Sequence, residues 1–113
     1  MKLFKFATVI TALFAVSIAS AADWFIDVRT PQEYSADHID GTINIIHTDI
    51  IKGVKDKGIK NDDNIYVFCR SGKRAGIAES ALKSEGYNSV TNLGGISEAR
   101  EWFKNNKITP NSK

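Results

Sequence analysis

Residues 65–86, IYVFCRSGKRAGIAESALKSEG, decide the fold because they contain a strand, a short loop and a helix in one continuous run. The first four residues form an unbroken apolar stretch of β-branched and aromatic side chains, which predicts a buried strand. From about Lys73 to Glu85 apolar residues recur at helical spacing, and Gly86 is placed to end that helix in a left-handed conformation. The stretch therefore predicts a strand that turns into a helix, with Cys69 at the carboxyl end of the strand.

The rest of the chain repeats this alternation of strand and helix. The apolar run 24–28 is followed by Thr30-Pro31, a helix start with proline in the first turn. The run 42–46 is followed by Thr48-Asp49, a capping pair for a helix that ends near Gly58. A last strand at 89–93 precedes a helix from Ile96 to about Phe103, and 108–113 is expected to be a frayed polar tail. This order favours an α/β fold, with a mainly parallel sheet of four strands and helices on both faces.

The first residues have the features of a secretory signal peptide. Lys2 and Lys5 precede an apolar run from about residue 6 to 18, and small residues follow it. A membrane anchor is the alternative, but the run is shorter than the roughly 20 residues that a spanning helix needs. We therefore expect a leader over residues 1–21, cleavage after Ala21 or Ala22, and a single domain over residues 22–113 in the periplasm or outside the cell.

The charge balance gives no reason to expect a nucleic-acid partner. The chain has 15 lysines and arginines against 13 acidic residues, but removal of Lys2 and Lys5 with the leader leaves 13 against 13. The sequence pI near 8.7 includes those two lysines, and no basic run with interleaved aromatic residues is present. We expect neither nucleic-acid binding nor stable membrane association after cleavage, and we expect a monomer.

Cys69 is the only cysteine, so an internal disulfide is impossible. It lies where a parallel sheet binds its ligands, at a strand end that turns into a helix. Gly72 would allow the N–H groups of the loop 69–74 to point inward as an anion-binding nest. Those amides, the helix dipole, and the cations Arg70, Lys73 and Arg74 would together favour the thiolate. The alternative is an inert buried thiol, as free cysteines often are.

At this point the chain resembles a known family, the rhodanese domains. Three stretches carry the resemblance: Asp27-Val28-Arg29 with Glu33-Tyr34, His38-Ile39, Gly41 and Asn44-Ile45; the loop Cys69 to Arg74; and Gly86-Tyr87, Val90 and Leu93-Gly94-Gly95. The short form that opens with the Asp-Val-Arg strand is similar to the periplasmic phage-shock thiosulfate sulfurtransferases. Asp37 and Thr42 depart from the family pattern. Residues 22–113 also lack the strand and helix that many members place first, so a fifth strand stays an open alternative to four.

The resemblance implies a thiosulfate sulfurtransferase without a cofactor. Cys69 would be the catalytic nucleophile and would carry a persulfide, and Arg70, Ser71, Gly72, Lys73 and Arg74 would bind the anionic donor. A thiol or cyanide would accept the sulfur. Related cysteine phosphatases have one more residue between cysteine and arginine, which makes phosphatase or arsenate reductase activity a weaker alternative. A persulfide carrier or sensing module that does not turn over thiosulfate is the main rival.

The resemblance also implies that Asp27 and Arg29, which follow the first strand at the same edge of the sheet, border the active site. Arg29 could instead pair with Glu33 on a helix. His38 and His47 lack neighbouring ligands for a metal, and surface or helix-end roles are favoured. Trp24, Trp102 and Phe103 are expected to pack in the core, and Gly94-Gly95 to allow a close backbone approach.

Overall fold

A computed structural model describes residues 20–110. The predicted leader lies almost wholly outside this range, and so do residues 111–113. The elements in chain order are β1 (Asp23–Asp27), α1 (Pro31–Ala36), β2 (Ile43–Asn44), a 3₁₀ turn (His47–Asp49), α2 (Ile50–Asp56), β3 (Asn64–Cys69), α3 (Lys73–Ser84), β4 (Ser89–Gly95) and α4 (Ile96–Asn105). Strand and helix alternate as predicted.

The described part of the chain forms one four-stranded sheet in the order β2-β1-β3-β4. All three neighbouring pairs are parallel, which confirms the α/β fold with a parallel sheet. The fifth strand that was left open is not present among residues 20–110. Because the strands run in the same direction, the loops after β1, β2, β3 and β4 all lie at one edge of the sheet.

Helices cover both faces of the sheet, as predicted. Alternate residues of β1 and β3 belong to two separate apolar clusters, because successive strand side chains point to opposite faces. Ile26 and Val67 pack with α2 and α3 on one face. Phe25 and Phe68 pack with Ala99 and Phe103 of α4 on the other. The predicted core residues belong to these clusters: Phe103 is buried, and Trp24 and Trp102 are half-buried against them.

The helix boundaries follow mostly from local signals in the sequence. Thr30 and Glu33 form a reciprocal capping box at the start of α1, with Pro31 in the first turn. Gly58 and Gly86 both have positive φ angles, 73° and 103°, just past the ends of α2 and α3. The predicted helix ends at these two glycines are therefore confirmed.

Three local predictions were wrong in part. Asp49 occupies the N-cap position of α2 as predicted, but its side chain makes no cap hydrogen bond; a 3₁₀ turn, closed by the Asp49 N–H on the Ile46 carbonyl at 2.9 Å, leads into the helix. The second strand is limited to Ile43–Asn44, although the apolar run is longer. The tail is not frayed at Ile108, whose N–H donates to the Phe103 carbonyl at 3.0 Å and whose side chain packs beneath α4.

Among the residues that the structure describes, the helices are too short or too polar to cross a bilayer.

Candidate active site

Cys69 lies at the carboxyl end of β3 with its sulfur facing backbone donors. The residue is only 1 % exposed and one side of it belongs to the apolar core. The N–H of Gly72 donates to Cys69 Sγ at 2.9 Å, and the N–H of Ala75 donates to the same atom at 3.4 Å. The thiol is thus buried beneath its own loop, but the donors of that loop point at it.

Gly72 makes this arrangement of the loop possible. Its φ angle is 99°, in the left-handed region that favours glycine, and it is the residue from which α3 starts. The first N–H groups of a helix have no acceptor within the helix, so the start of α3 presents free donors beside the sulfur. Of the predicted loop 69–74, the Gly72 N–H is directed at the sulfur, and the second donor, Ala75, lies one residue beyond that loop in the first turn of α3.

Gly95 brings the last strand against this loop. A Cβ atom at Gly95 would lie 2.3 Å from the Arg70 carbonyl oxygen, a distance that side chains do not tolerate. The register of β3 and β4 shifts between Val67 and Cys69, so that Cys69 is paired with Gly95. The predicted close approach at Gly94-Gly95 is confirmed, and its partner is the cysteine loop.

Asn92 is a supporting residue that the sequence reasoning missed. Its Nδ2 donates to the Gly72 carbonyl at 3.0 Å, and its Oδ1 accepts from the Gly94 N–H at 2.8 Å. One amide side chain therefore holds both glycine turns in place. The available signal was a short polar residue two positions before a glycine pair at the end of a strand.

The three cations of the loop have different surroundings. Arg70 and Lys73 are exposed, and within residues 20–110 neither side chain has an ion pair or hydrogen bond. Arg74 instead makes a bidentate pair with Glu33, with Nη1–Oε1 at 2.7 Å and Nη2–Oε2 at 3.1 Å. Two cations of the loop are therefore free for an anion, and the third ties α3 to α1.

The Glu33–Arg74 pair is stable over a wide pH range. The Arg74 guanidinium and the Thr30 backbone N–H together lower the pKa of Glu33 to about 2. The hydrogen bond to Glu33 raises the pKa of Arg74. Both side chains are 26 % exposed, so the pair is partly shielded from water.

Asp27 and Arg29 form a buried ion pair at the same edge of the sheet. Arg29 Nε donates to both carboxylate oxygens of Asp27, at 3.0 and 3.1 Å, and Nη2 donates to Oδ2 at 2.8 Å. The hydrogen bond to Asp27 raises the pKa of Arg29. The predicted alternative of an Arg29–Glu33 pair on a helix was wrong, because Arg29 precedes α1 and Glu33 is bound to Arg74.

Asn44, to which the sequence analysis gave no role of its own, binds the carbonyl groups on both sides of this pair. Asn44 Nδ2 donates to the carbonyl oxygens of Asp27 and Arg29, both at 3.0 Å, and so fixes the turn after β1. Asp27 is also aligned with Phe68 across β1 and β3, directly before Cys69. Because Arg29 is bound to Asp27, this pair presents no free charge to a ligand.

Neither histidine belongs to the cysteine loop, and each lies beside a short helical element. His38 follows α1, stacks on Tyr34 with ring centroids 4.1 Å apart, and has its Nδ1 2.9 Å from the Tyr34 carbonyl oxygen. His47 begins the 3₁₀ turn, and its buried Nδ1 has no hydrogen-bond partner in the described part of the chain.

Comparison with known proteins identifies the family. Residues 15–101 match the rhodanese-like domain, so the chain belongs to that family. It is 32% identical over 86 residues to thiosulfate sulfurtransferase PspE of Escherichia coli (strain K12), covering 76% of this chain and 82% of that protein. It is 34% identical over 77 residues to the thiosulfate:glutathione sulfurtransferase of Saccharomyces cerevisiae, covering 58% of this chain and 55% of that protein. A solved structure described as a rhodanese with anions from E. coli aligns with a TM-score of 0.64 and 32% identity, over 68% of this chain and 91% of the other. The chain is therefore a rhodanese-like protein with named sulfurtransferases among its relatives.

Proposed function

We propose that this protein is an exported thiosulfate sulfurtransferase that carries a sulfur atom as a persulfide on Cys69. One observation carries the proposal: two backbone N–H groups converge on Cys69 Sγ at 2.9 and 3.4 Å. Such a nest stabilises a negatively charged sulfur, which is the reactive form of a cysteine nucleophile. The likeness to two thiosulfate sulfurtransferases supports the choice of donor.

The first half-reaction forms the persulfide. The Cys69 thiolate attacks the outer sulfur of thiosulfate, a new S–S bond forms, and the S–S bond within thiosulfate breaks. Sulfite leaves with the electron pair of that bond. No proton is needed for its departure, and no oxidant or reductant is consumed. The loop residues therefore have to stabilise charge rather than supply an acid.

Arg70 and Lys73 are suited to recruit the donor. Both are exposed, and neither is paired with a carboxylate in residues 20–110. Thiosulfate is a dianion, so two free cations beside the nucleophile would attract it and offset the charge that builds up in the transition state. Ser71 and Gly72 lie between these cations and supply the backbone of the loop. Arg74 acts mainly through its pair with Glu33, which fixes the first turn of α3.

The second half-reaction returns the enzyme to its starting state. The outer sulfur of the persulfide is one S–S bond length, about 2 Å, from Sγ. The start of α3 still offers unpaired N–H groups for its negative charge. Cyanide or a thiolate attacks that sulfur, and the Cys69 thiolate is released as the leaving group. We propose that the domain spans residues 22–113, acts as a monomer, and works in the periplasm or outside the cell.

Two measurements test the proposal. Mass spectrometry of the protein after treatment with thiosulfate should show the gain of one sulfur atom, confined to the peptide that contains Cys69. A steady-state assay with thiosulfate and cyanide should show continuous turnover, and Cys69→Ser should abolish it while leaving the fold intact. Turnover by Cys69→Ser near the wild-type rate would refute the assignment. A wild-type protein that loads one sulfur and then stalls is instead a carrier.

A further inference from the structure

Ala22 is the first residue that the sheet holds in place. Its carbonyl oxygen accepts from the Asn64 N–H at 2.8 Å, and its own N–H donates to Asp63 Oδ1 at 3.1 Å. Ser20 and Ala21 are exposed and make no hydrogen bond with residues 20–110. The chain is thus attached to the domain from Ala22 onward, at the amino edge of the sheet.

Asp63 receives this backbone in a buried carboxylate site. The residue is 5 % exposed. Its oxygens also accept from Trp24 Nε1 at 3.0 Å and from the Lys60 N–H at 2.9 Å. No lysine, arginine or histidine side chain lies within ion-pair distance of Asp63 in the described part of the chain. The hydrogen bonds, chiefly the one from the Lys60 N–H, outweigh the burial of this carboxylate and lower the pKa of Asp63, so a cation at the same place would stabilise the ionised form further.

Proteolytic processing can supply the missing cation. Cleavage after Ala21 adds water across the Ala21–Ala22 peptide bond, which leaves a carboxylate on Ala21 and an α-ammonium group on Ala22. That nitrogen is the atom already 3.1 Å from Asp63 Oδ1. Cleavage after Ala22 would instead remove both hydrogen bonds of this residue with the sheet.

We propose that a signal peptidase cleaves between Ala21 and Ala22, and that the Asp63 carboxylate binds the new α-ammonium of Ala22. The proposal rests on the leader predicted from the sequence and not on the proposed sulfur transfer. Asp63 is then a binding site for the amino terminus, and this site is complete only after the leader is removed. A partly buried ion pair then takes the place of a hydrogen bond from an uncharged amide just before β1, so the processed protein is the more stable form.

Export of the full chain tests the cleavage position. The intact mass of the protein recovered outside the cytoplasm should correspond to residues 22–113, with Ala22 as the first residue. A first residue of Ala21 or Asp23, or a product that keeps residues 1–21, would overturn the proposal. This result does not depend on whether the protein transfers sulfur.

Thermal unfolding tests the role of Asp63. A chain of residues 22–113 should melt about 4 °C or more above a chain of residues 20–113, in which the Ala22 nitrogen is a neutral amide. Asp63→Asn in both chains should abolish the difference. If Asp63→Asn does not fold, selective acetylation of the Ala22 amine in the wild-type chain should cause the same loss. Equal melting temperatures of the two wild-type chains, a difference that survives Asp63→Asn, or no effect of acetylation would contradict the inference.

Discussion

Gly95 sets the distance between the last strand and the cysteine loop. A methyl group at this position would lie 2.3 Å from the Arg70 carbonyl oxygen and 2.7 Å from Glu98 Oε1. Because the first of these atoms belongs to the backbone, the loop itself must move to make room. We expect Gly95→Ala to lower the free energy of unfolding by about 1–3 kcal/mol and to reduce thiosulfate turnover.

Gly76→Ala is the matched control for that substitution. Gly76 lies in α3, and the nearest atom to an added Cβ is Asn92 Nδ2 at 3.7 Å, an ordinary contact. Alanine is the better helix former, so this variant should gain roughly 0.5–1 kcal/mol and keep its activity. Urea unfolding of both variants measures the effects. A Gly95→Ala protein as stable as the wild type would show that the loop is not held against β4.

Arg70 and Lys73 should affect the binding of the donor more than the fold. Neither side chain has a partner in residues 20–110, so removal of either leaves no buried charge behind. We expect Arg70→Ala and Lys73→Ala each to raise the KM for thiosulfate about five-fold, equivalent to roughly 1 kcal/mol, with little change in melting temperature. Steady-state kinetics at several thiosulfate concentrations separate KM from kcat.

The control for these variants is Lys104→Ala, which removes an exposed lysine from α4 and should change neither quantity. Arg74→Ala should behave differently from all three, because it leaves Glu33 without its bidentate partner. That variant should lose stability as well as activity. If Arg74→Ala changed only KM while Arg70→Ala and Lys73→Ala had no effect, the assignment of roles among the three cations would be wrong.

At the scale of elements, Glu33 joins α1 to the start of α3. One carboxylate accepts from the Thr30 N–H at 3.0 Å, as part of the cap of α1, and from two nitrogens of Arg74 at the start of α3. Glu33→Gln keeps an acceptor for the cap but removes the charge and one oxygen of the ion pair. We expect kcat/KM for thiosulfate to fall about five-fold, because the first turn of α3 loses its fixed position.

A comparison with Glu79→Gln separates this effect from the general loss of a surface ion pair. Glu79 also pairs with a cation, Lys83 four residues further along α3. Its loss should cost about 0.5 kcal/mol at most and leave the kinetics unchanged. Glu33→Asp keeps the charge on a shorter side chain and should recover part of the activity. Equal kinetics for Glu33→Gln and the wild type would mean that α1 does not position the cysteine loop.

The elements also show which parts of this protein can be predicted from sequence. Local signals were sufficient for the cap at Thr30, the glycine that ends α3 at Gly86, and the strand before Cys69, because each depends on residues a few positions apart. The Glu33–Arg74 pair joins residues 41 positions apart, so no local pattern could indicate it. The support of Asn92 for the loop at Gly72 depends in the same way on the parallel pairing of β3 and β4.

The length of β2 was mispredicted for a related reason, because it depends on tertiary packing. The apolar run 42–46 has strong β propensity, but only Ile43–Asn44 form strand, and a 3₁₀ turn begins at His47. The Ile45 N–H still donates to the Asp27 carbonyl at 3.1 Å, and its side chain packs in the apolar cluster with residues of α2 and α3. Propensity identifies a buried segment, and only tertiary packing decides how much of it is strand.

At the scale of the whole molecule, two carboxylates hold opposite ends of the sheet. Glu33 lies at the carboxyl edge beside the cysteine loop, and Asp63 lies at the amino edge where β3 begins. The pair with Arg74 lowers the pKa of Glu33 to about 2, and the Lys60 backbone N–H is the largest cause of the lowered pKa of Asp63. Each carboxylate therefore favours the folded state only while it is ionised.

The pH dependence of stability follows from the sign of these shifts. In the unfolded chain both groups take up protons near pH 4, whereas in the folded chain they remain ionised to lower pH. Both contributions are complete above about pH 5. That of Glu33 is lost as the pH falls toward 2, and that of Asp63 is lost as the pH falls through its lowered folded-state pKa. For Glu33 we expect about 1–2 kcal/mol, since its partial exposure weakens the interaction. Urea unfolding of the wild-type protein at pH 7, 4 and 2 should show this loss.

Glu33→Gln and Asp63→Asn distinguish the two contributions. Each variant should be less stable than the wild type at pH 7 and should lose less stability on acidification, because one titrating group is gone. The sites lie at opposite ends of a strand six residues long, about 15–20 Å apart, so their effects should add in the double variant. A double variant that is clearly more or less stable than the sum of the single effects would indicate that the two edges of the sheet are coupled. A wild-type stability that is unchanged between pH 7 and pH 2 would show that neither carboxylate contributes through its charge.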